Sequence, residues 1–110
     1  MIKVMKRTGN VVNFDMDNIT TALGKCYLAH FGKLTKEIKL EITTITSSIY
    51  LEHILPYAKN KSTINDVVLD IEEIQNYVVC TLIEFGKHKL AEEYSEYRIK
   101  QKEFRENHLK

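Results

Sequence analysis

The 110-residue chain has no tryptophan, one proline, four glycines and two cysteines. The cysteines, Cys26 and Cys80, are far apart and belong to no C-x-x-C pair, which argues against a disulfide scaffold or a zinc ribbon and favours a reducing cytosol. No apolar run approaches the length of about eighteen residues that a membrane helix needs, and the first residues contain no signal-peptide core. We therefore expect a cytoplasmic protein with no membrane contact.

An excess of charge of one sign is also missing. Lysine and arginine total 16 against 15 aspartates and glutamates, a net charge of +1, so bulk attraction to nucleic acid is weak and any anion site must come from local clustering. Hydrophobic residues make up 44% and charged residues 28%, as in ordinary globular domains. Because this length suits one core, residues 1–110 are predicted to form a single domain with no room for a separate catalytic domain.

The common phosphate-binding loops are absent as well. The chain contains neither G-x-x-x-x-G-K-[ST] nor G-x-G-x-x-G, and no constellation of residues indicates catalysis. Any phosphate site must therefore depend on lysine and arginine side chains at the ends of strands and helices, where charge-assisted hydrogen bonds are strong.

Alternating apolar residues and turn signals predict three strands. Gly9 and Asn10 separate the first two at hairpin spacing. A short apolar run later in the chain adds a third strand beside the hairpin. The predicted strands cover residues 2–7, 11–14 and 67–69.

Apolar residues at spacings of three and four predict four helices. Asp15 offers a cap for the first, Gly32 ends it, and Asp70 with Glu73 forms a capping box for the third. The second is rich in β-branched residues, but its isoleucine spacing is wrong for a strand, and it is expected to end near Pro56. The predicted helices cover residues 16–31, 35–56, 71–85 and 87–107. The fold class is thus α+β: an N-terminal β-hairpin in a small, about three-stranded sheet, capped by a four-helix bundle.

Lys6 and Arg7 form a basic pair at the end of the first predicted strand. Lys6 shares a face with Val4, so its stem can lie along the core while its ammonium reaches the rim. An apolar pocket of Val4, Phe14 and Ile19 would then take a nucleobase, with the basic pair on the phosphates. The alternative is that two basic residues near a hairpin tip keep an edge strand soluble, and spacing alone leaves both interpretations open.

The remaining candidates favour structural roles. Cys26 and His30 lie four apart on one predicted helix face, but no second pair with ligand spacing accompanies them, so core packing is favoured and no metal site is predicted. The other histidines are predicted to lie at the surface: His53, His88 and His108. The aromatic residues of the last helix have the periodicity of core positions: Tyr94, Tyr97 and Phe104.

Three blocks of the sequence together resemble the ATP-cone domain. Its opening is similar to Val4-Met5-Lys6-Arg7-Thr8-Gly9, followed by Val12-x-Phe14-Asp15 and then Ile19. The start of its third helix is similar to Asp70-Ile71-Glu72-Glu73-Ile74-Gln75. Its last helix is similar to Leu90-Ala91-x-x-Tyr94-x-x-Tyr97-Arg98. The order and spacing of these blocks match over nearly the whole chain.

The resemblance implies a domain that binds ATP or dATP with Mg²⁺, usually at the N-terminus of ribonucleotide reductase subunits. It also implies allosteric control: ATP leaves the reductase active, whereas dATP turns it off, commonly through a change in subunit association. The implied partners are a catalytic or radical-generating reductase subunit and further copies of the chain in a nucleotide-dependent homo-oligomer. The chain would be either a domain excised from a longer protein or a separate small protein.

Site residues carry over from the family by position. Lys6 and Arg7 would hold phosphates, and the base pocket would be lined by Val4, Phe14 and Ile19. Asp70 would fall at the start of the third helix, where regulation in the family is sensitive. The family's basic position in the last helix falls near Gln101, so the flanking Lys100 and Lys102 are candidates.

Two positions depart from the family pattern. Thr8 replaces the usual aspartate after the basic pair, and Asn18 replaces the usual lysine before the helix-one isoleucine. Loss of that lysine removes one charged hydrogen bond, worth about tenfold in affinity, unless Lys100 or Lys102 substitutes. Asn18 is kept among the nucleotide-binding positions.

Two further function classes are alternatives to a nucleotide sensor for a reductase. A cone that has lost its ligand would serve as a helical docking or oligomerisation module, and Thr8 and Asn18 favour this alternative. A repressor of reductase genes would join such a cone to a zinc ribbon, but the four ribbon cysteines are absent and the net charge is only +1, so DNA binding is not supported.

Overall fold

A computed structural model describes residues 2–60 and 67–108 of the chain, with side chains up to residue 100. The strands are β1 (Ile2–Met5), β2 (Val11–Asn13) and β3 (Val67–Asp70). The helices are α1 (Met16–Phe31), α2 (Lys36–Ile49), α3 (Leu55–Asn60), α4 (Ile71–Glu84) and α5 (His88–His108), with a π-helical segment, Tyr50–Ile54, between α2 and α3. The α+β class with a three-stranded, N-terminal sheet is confirmed.

β1 is the central strand of a mixed sheet with the order β2-β1-β3. It pairs with β2 in antiparallel register and with β3 in parallel register, which places Val4 opposite both Val12 and Leu69. Val4 and Leu69 are buried and Val12 is partly buried. Because directly opposite residues share a face of the sheet, these three form an apolar row that packs against the helices.

The first strand is shorter than predicted. Its pairing stops at Met5, because the Lys6 N–H donates to the Asn10 carbonyl over 2.8 Å and the Gly9 N–H donates to the Lys6 carbonyl over 2.9 Å. Gly9 has a φ of 89°, which a side chain would disfavour. Lys6 and Arg7 therefore lie in the turn that leaves the sheet, and not in the strand.

Local caps set most of the helix ends. Asp15 accepts from the Asp17 N–H at the start of α1, and Gly32 ends that helix with a left-handed φ of 81°. Thr35 accepts from the Ile38 N–H at the start of α2. Asp70 Oδ1 accepts from the Glu72 N–H over 2.8 Å at the start of α4. Side-chain oxygens at these positions satisfy N–H groups that have no partner within the helix.

The helical stretch after Thr35 does not end near Pro56, as the sequence had predicted, but continues to Asn60. The π-helical segment inserts one extra residue in the turn, and the Leu55 N–H donates to the Tyr50 carbonyl. α3 begins at Leu55, directly after the π-helical segment, and Pro56 is its second residue. The π-helical segment interrupts the regular i→i−4 hydrogen bonds, so a residue without an N–H is tolerated beside it. The proline is thereby accommodated without breaking the helical path.

The core lies between the sheet and the helices. Its fully buried side chains come from α1, the α2–α3 stretch, β3 and α4: Leu23, Tyr27, Ile45, Ile49, Ile54, Leu69, Val78 and Leu82. Leu90, Ala91 and Tyr94 extend this core along α5. No helix in the described parts of the chain is both long enough and apolar enough to cross a membrane.

Candidate functional site

A cleft with apolar walls opens where the hairpin meets α1 and α4. We call it the apolar cleft. Its apolar lining residues are Val4, Val12, Phe14, Ile19, Ala22, Ile71, Ile74 and Val78. Polar or hydrogen-bonding side chains also line it: Lys6, Asn13, Asp15, Asn18, Gln75 and Tyr94. The few polar groups set among apolar ones match the usual composition of small-molecule sites.

A second cleft adjoins the first and is basic. This basic cleft is lined by Lys6, Arg7, Ala22, Ile71, Gln75, Tyr94, Tyr97 and Arg98. Its three charged lining residues are all cations, which come from the turn after β1 and from α5. The residues common to both clefts are Lys6, Ala22, Ile71, Gln75 and Tyr94. The two clefts therefore form one continuous site with an apolar end and a cationic end.

The two arginines of the basic cleft share one carboxylate. Arg7 Nη2 lies 2.8 Å from Glu72 Oε1, and Arg98 Nη2 lies 2.5 Å from Glu72 Oε2. Arg98 also donates through Nη1 to Asn76 Oδ1 over 3.0 Å. The Nη1 group of Arg7 is buried and has no hydrogen-bond partner among the described residues. This guanidinium at the basic cleft thus has one donor for which the described residues supply no acceptor.

A buried tyrosine connects α5 to α4 where the two clefts meet. The Tyr94 hydroxyl donates to Gln75 Oε1, and Tyr94 is almost fully buried. Burial raises the pKa of Tyr94 to about 12, even though the Arg98 charge acts in the opposite direction. Because the phenol stays protonated at neutral pH, it donates to Gln75 and leaves the NH₂ of that amide as the donor available to a ligand.

The three residues that the sequence predicted for the base pocket come together: Val4, Phe14 and Ile19 line the apolar cleft. Asn18 lines it as well, and Lys6 lines both clefts. Arg7 lines the basic cleft only. The structure thus places a predicted base pocket directly beside predicted phosphate ligands.

The other predicted site residues lie elsewhere. Asp70 is exposed, caps α4 and is not among the residues that line either cleft. Lys100 is exposed on α5 and is likewise not a lining residue. The side chain of Lys102 lies outside the described residues.

Sequence reasoning missed Arg98, Gln75 and the lining role of Tyr94. The periodicity of α5 predicted Tyr94 and Tyr97 as core residues; burial confirms this for Tyr94, whereas Tyr97 is 39% exposed. A core residue such as Tyr94 can also close one side of a cleft. The signal for Arg98 was present, because it follows Tyr94 by four residues and so lies on the same helix face. Arg98 supplies a cation from the last helix two positions before Lys100.

The expected core packing is wrong for His30 but is confirmed for Cys26, which packs against the core. His30 is exposed and does not pack in the core: its Nδ1 lies 2.9 Å from Glu93 Oε2, so α1 and α5 are joined by a surface hydrogen bond. The pairing arises because helical spacing places His30 on the side of α1 that faces Glu93. Cys26 is partly buried and donates to the Leu90 carbonyl over 3.7 Å, and burial raises the pKa of its thiol to about 11. A protonated thiol of this kind is a poor nucleophile.

His53 is half-buried, contrary to the surface position that the sequence had predicted, whereas His88 is exposed as expected. The His53 ring stacks on Tyr77 with the ring centres 5.1 Å apart. With Glu52 and Glu84 it forms a group whose ligand atoms all lie within 4.8 Å of one another. The π-helical segment carries His53 against α4 and so accounts for its burial. The side chain of His108 lies outside the described residues.

Comparison with known proteins identifies the family of the chain. A search of curated proteins found no match. The family model described as "ATP cone domain" matches residues 2–103, which is nearly the whole chain and includes every lining residue of both clefts. The chain therefore belongs to the ATP cone domain family, whose members are regulatory rather than catalytic domains and generally bind adenine nucleotides.

Proposed function

We propose that the joined clefts bind ATP or dATP, and that the bound nucleotide controls the activity and oligomeric state of a ribonucleotide reductase. The observation that carries the proposal is the continuity of the two clefts through Lys6, Gln75 and Tyr94. A nucleotide has one aromatic, weakly polar end and one polyanionic end. The site has the same polarity along its length.

The base would lie in the apolar cleft. Phe14 and Ile19 offer flat and branched apolar surfaces on opposite elements, and Phe14 is itself stacked against Tyr50 with the ring centres 6.0 Å apart. The NH₂ group of Gln75 would donate to a ring nitrogen of adenine, since its oxygen is engaged by Tyr94. Shape and apolar burial would supply most of the affinity, and this amide would orient the base.

The phosphates would lie in the basic cleft. Lys6 provides a flexible point charge, and the guanidinium groups of Arg7 and Arg98 provide planar donors suited to phosphate oxygens. The unpartnered Nη1 of Arg7 would gain an acceptor. The basic cleft has no carboxylate among its lining residues, so Mg²⁺ would be carried mainly by the phosphate oxygens themselves.

Regulation requires that ATP and dATP stabilise different states of the partner assembly, because a ligand shifts an equilibrium only through its differential affinity for the two states. We propose that the domain transmits this difference to a catalytic or radical-generating subunit. Further copies of the chain would associate according to which nucleotide is bound.

The test of nucleotide binding is a calorimetric titration of the chain with ATP, dATP, ADP and GTP in the presence of Mg²⁺. We expect heat with the adenine nucleotides and a weaker signal with GTP. Thermal melting gives an independent measurement, since ligand at a hundred times its Kd adds about 2.7 kcal/mol to the free energy of unfolding. Absence of both signals with every adenine nucleotide would exclude the proposal.

A second candidate function is a docking or oligomerisation module without a ligand. Asn18 at the rim of the apolar cleft favours it, because a neutral amide stands where the family has a phosphate-directed lysine. Exposed apolar side chains such as Leu40 and Leu51 also offer surface to a partner. Sedimentation with and without ATP separates the two candidates: a docking module would associate to the same extent in both conditions.

A further inference from the structure

Glu72, in the first turn of α4, holds both arginines of the basic cleft with a single carboxylate. Its two oxygens lie 2.8 Å from Arg7 and 2.5 Å from Arg98. Glu72 is not among the residues that line either cleft, whereas both arginines line the basic cleft. The carboxylate therefore contacts the guanidinium groups without occupying the space in which the phosphates would lie.

The arrangement restricts both arginines. Both arginines contact the same carboxylate, so two like charges are held close together. Each arginine side chain is only 20% exposed, so the two charges are also partly desolvated. Arg98 is fixed by two acceptors one turn apart on α4, Glu72 and Asn76. Arg7 is fixed through Nη2, while its buried Nη1 remains without a partner among the described residues. Glu72 offsets the repulsion between the two cations and sets the direction of each planar group.

We propose that Glu72 is a positioning residue for the phosphate site: it holds Arg7 and Arg98 in the geometry in which their remaining N–H groups bind phosphate oxygens. This inference rests on the proposed function. Arginine loses less conformational freedom on binding when its guanidinium is already fixed, so preorganisation of the pair raises the affinity for the polyphosphate. Glu72 itself makes no contact with the ligand.

The sign of the effect distinguishes positioning from simple charge. If Glu72 acted only through its charge, its removal next to a polyanion site would tighten binding. If it positions the arginines, its removal releases two side chains and weakens binding. Because the Glu72 side chain is 40% exposed, solvent screens its charge, and we expect the loss of positioning to outweigh the gain in charge.

The experiment is a calorimetric comparison of Glu72→Ala with the unaltered chain, using adenosine, AMP, ATP and inorganic triphosphate as probes. We expect ATP and inorganic triphosphate to bind about tenfold more weakly to the variant, while adenosine binds equally well. Glu73→Ala is the matched control, since Glu73 is exposed in the same helical turn and carries the same charge. It is expected to bind ATP as well as the unaltered chain, or slightly better.

Glu72→Gln provides the conservative variant. It keeps one carbonyl acceptor for an arginine, so its loss of affinity should lie between zero and that of Glu72→Ala. If Glu72→Ala fails to give a cooperative melt, Glu72→Gln is compared with Glu73→Gln. The inference then expects weaker ATP binding for Glu72→Gln than for Glu73→Gln.

Unchanged or tighter ATP binding by the Glu72 variants overturns the inference, and so does an equal loss for adenosine and ATP, which would indicate a general change of the clefts. Failure of the proposed function is a separate result. In that case the unaltered chain binds no adenine nucleotide, and inorganic triphosphate alone tests the role of Glu72.

Discussion

Tyr94 on α5 donates its hydroxyl hydrogen bond to Gln75 on α4, at the point where the apolar cleft passes into the basic cleft. The contact joins two helices that both contribute lining residues to the two clefts. It also decides which end of the Gln75 amide is free, because the oxygen is occupied. A residue with the periodicity of the core thus determines the hydrogen-bonding character of the cleft.

Removal of this hydrogen bond should destabilise the fold measurably. In Tyr94→Phe the partly buried Gln75 oxygen loses its donor, and we expect the free energy of unfolding in urea to fall by about 1 kcal/mol. Tyr97→Phe is the control, because Tyr97 is 39% exposed and its hydroxyl can be replaced by water contacts. Equal losses in the two variants would show that the Tyr94 contact contributes nothing specific.

The cationic end of the site predicts a phosphate-dependent loss of affinity. Lys6 lines both clefts, so Lys6→Ala should weaken ATP binding about tenfold or more through loss of one charge-assisted hydrogen bond, while adenosine binding changes little. Calorimetry with the two ligands measures the difference. Lys33→Ala, in the exposed turn after α1, should leave both affinities unchanged. A similar loss in both lysine variants would point to bulk charge and not to a site.

The helix ends could be predicted from the sequence because their causes are local. The oxygens of Asp15 and Asp70 cap the helices that follow them, and Gly32 adopts the left-handed conformation that ends α1. The continuation of the helix past Pro56 could not be predicted, since it depends on the π-helical segment that precedes the proline. That segment places Ile54 in the core and stacks Tyr50 on Phe14, so tertiary packing, not propensity, selects it.

The candidate site was predictable only in part, for a similar reason. Periodicity and the family blocks identified Val4, Phe14 and Ile19, which approach one another through the hairpin and the adjoining helix. The lining residues that α4 and α5 supply to the clefts depend on how these helices pack against the sheet. A local sequence pattern does not determine that packing. Arg98 was therefore identified as a lining residue only from the structure, although it follows Tyr94 by one helical turn.

Asn18 allows a gain of function to be predicted. It is exposed in the first turn of α1 and lines the apolar cleft. Asn18→Lys restores the lysine that the family pattern has at this position, and its long side chain would reach from the apolar cleft toward the proposed phosphates, so ATP affinity should rise about tenfold. The same cation opposes the helix dipole, so the unliganded domain should lose about 0.3–1 kcal/mol of stability. Calorimetry and melting measure the two opposite changes.

The control for this gain is Thr21→Lys, which adds the same charge on the same helix at an exposed position outside both clefts. It should leave the affinity nearly unchanged. A rise in ATP affinity of the same size in both variants would mean that net charge, and not the position of Asn18, limits binding.

Alkaline pH should destabilise the fold through Cys26 and Tyr94. Burial raises the pKa of Cys26 from 9.0 to about 11 and that of Tyr94 from 10.0 to about 12, so the unfolded chain loses these protons first. Stability from these groups is complete below pH 9 and is lost as pH rises through the folded values. Urea unfolding at several pH values across this range should therefore show a falling midpoint.

Cys26→Ser should flatten the fall between pH 9 and about 11, whereas Cys80→Ser, at an exposed thiol, should not. If the two serine variants had the same pH dependence, burial of the Cys26 thiol would not be its cause.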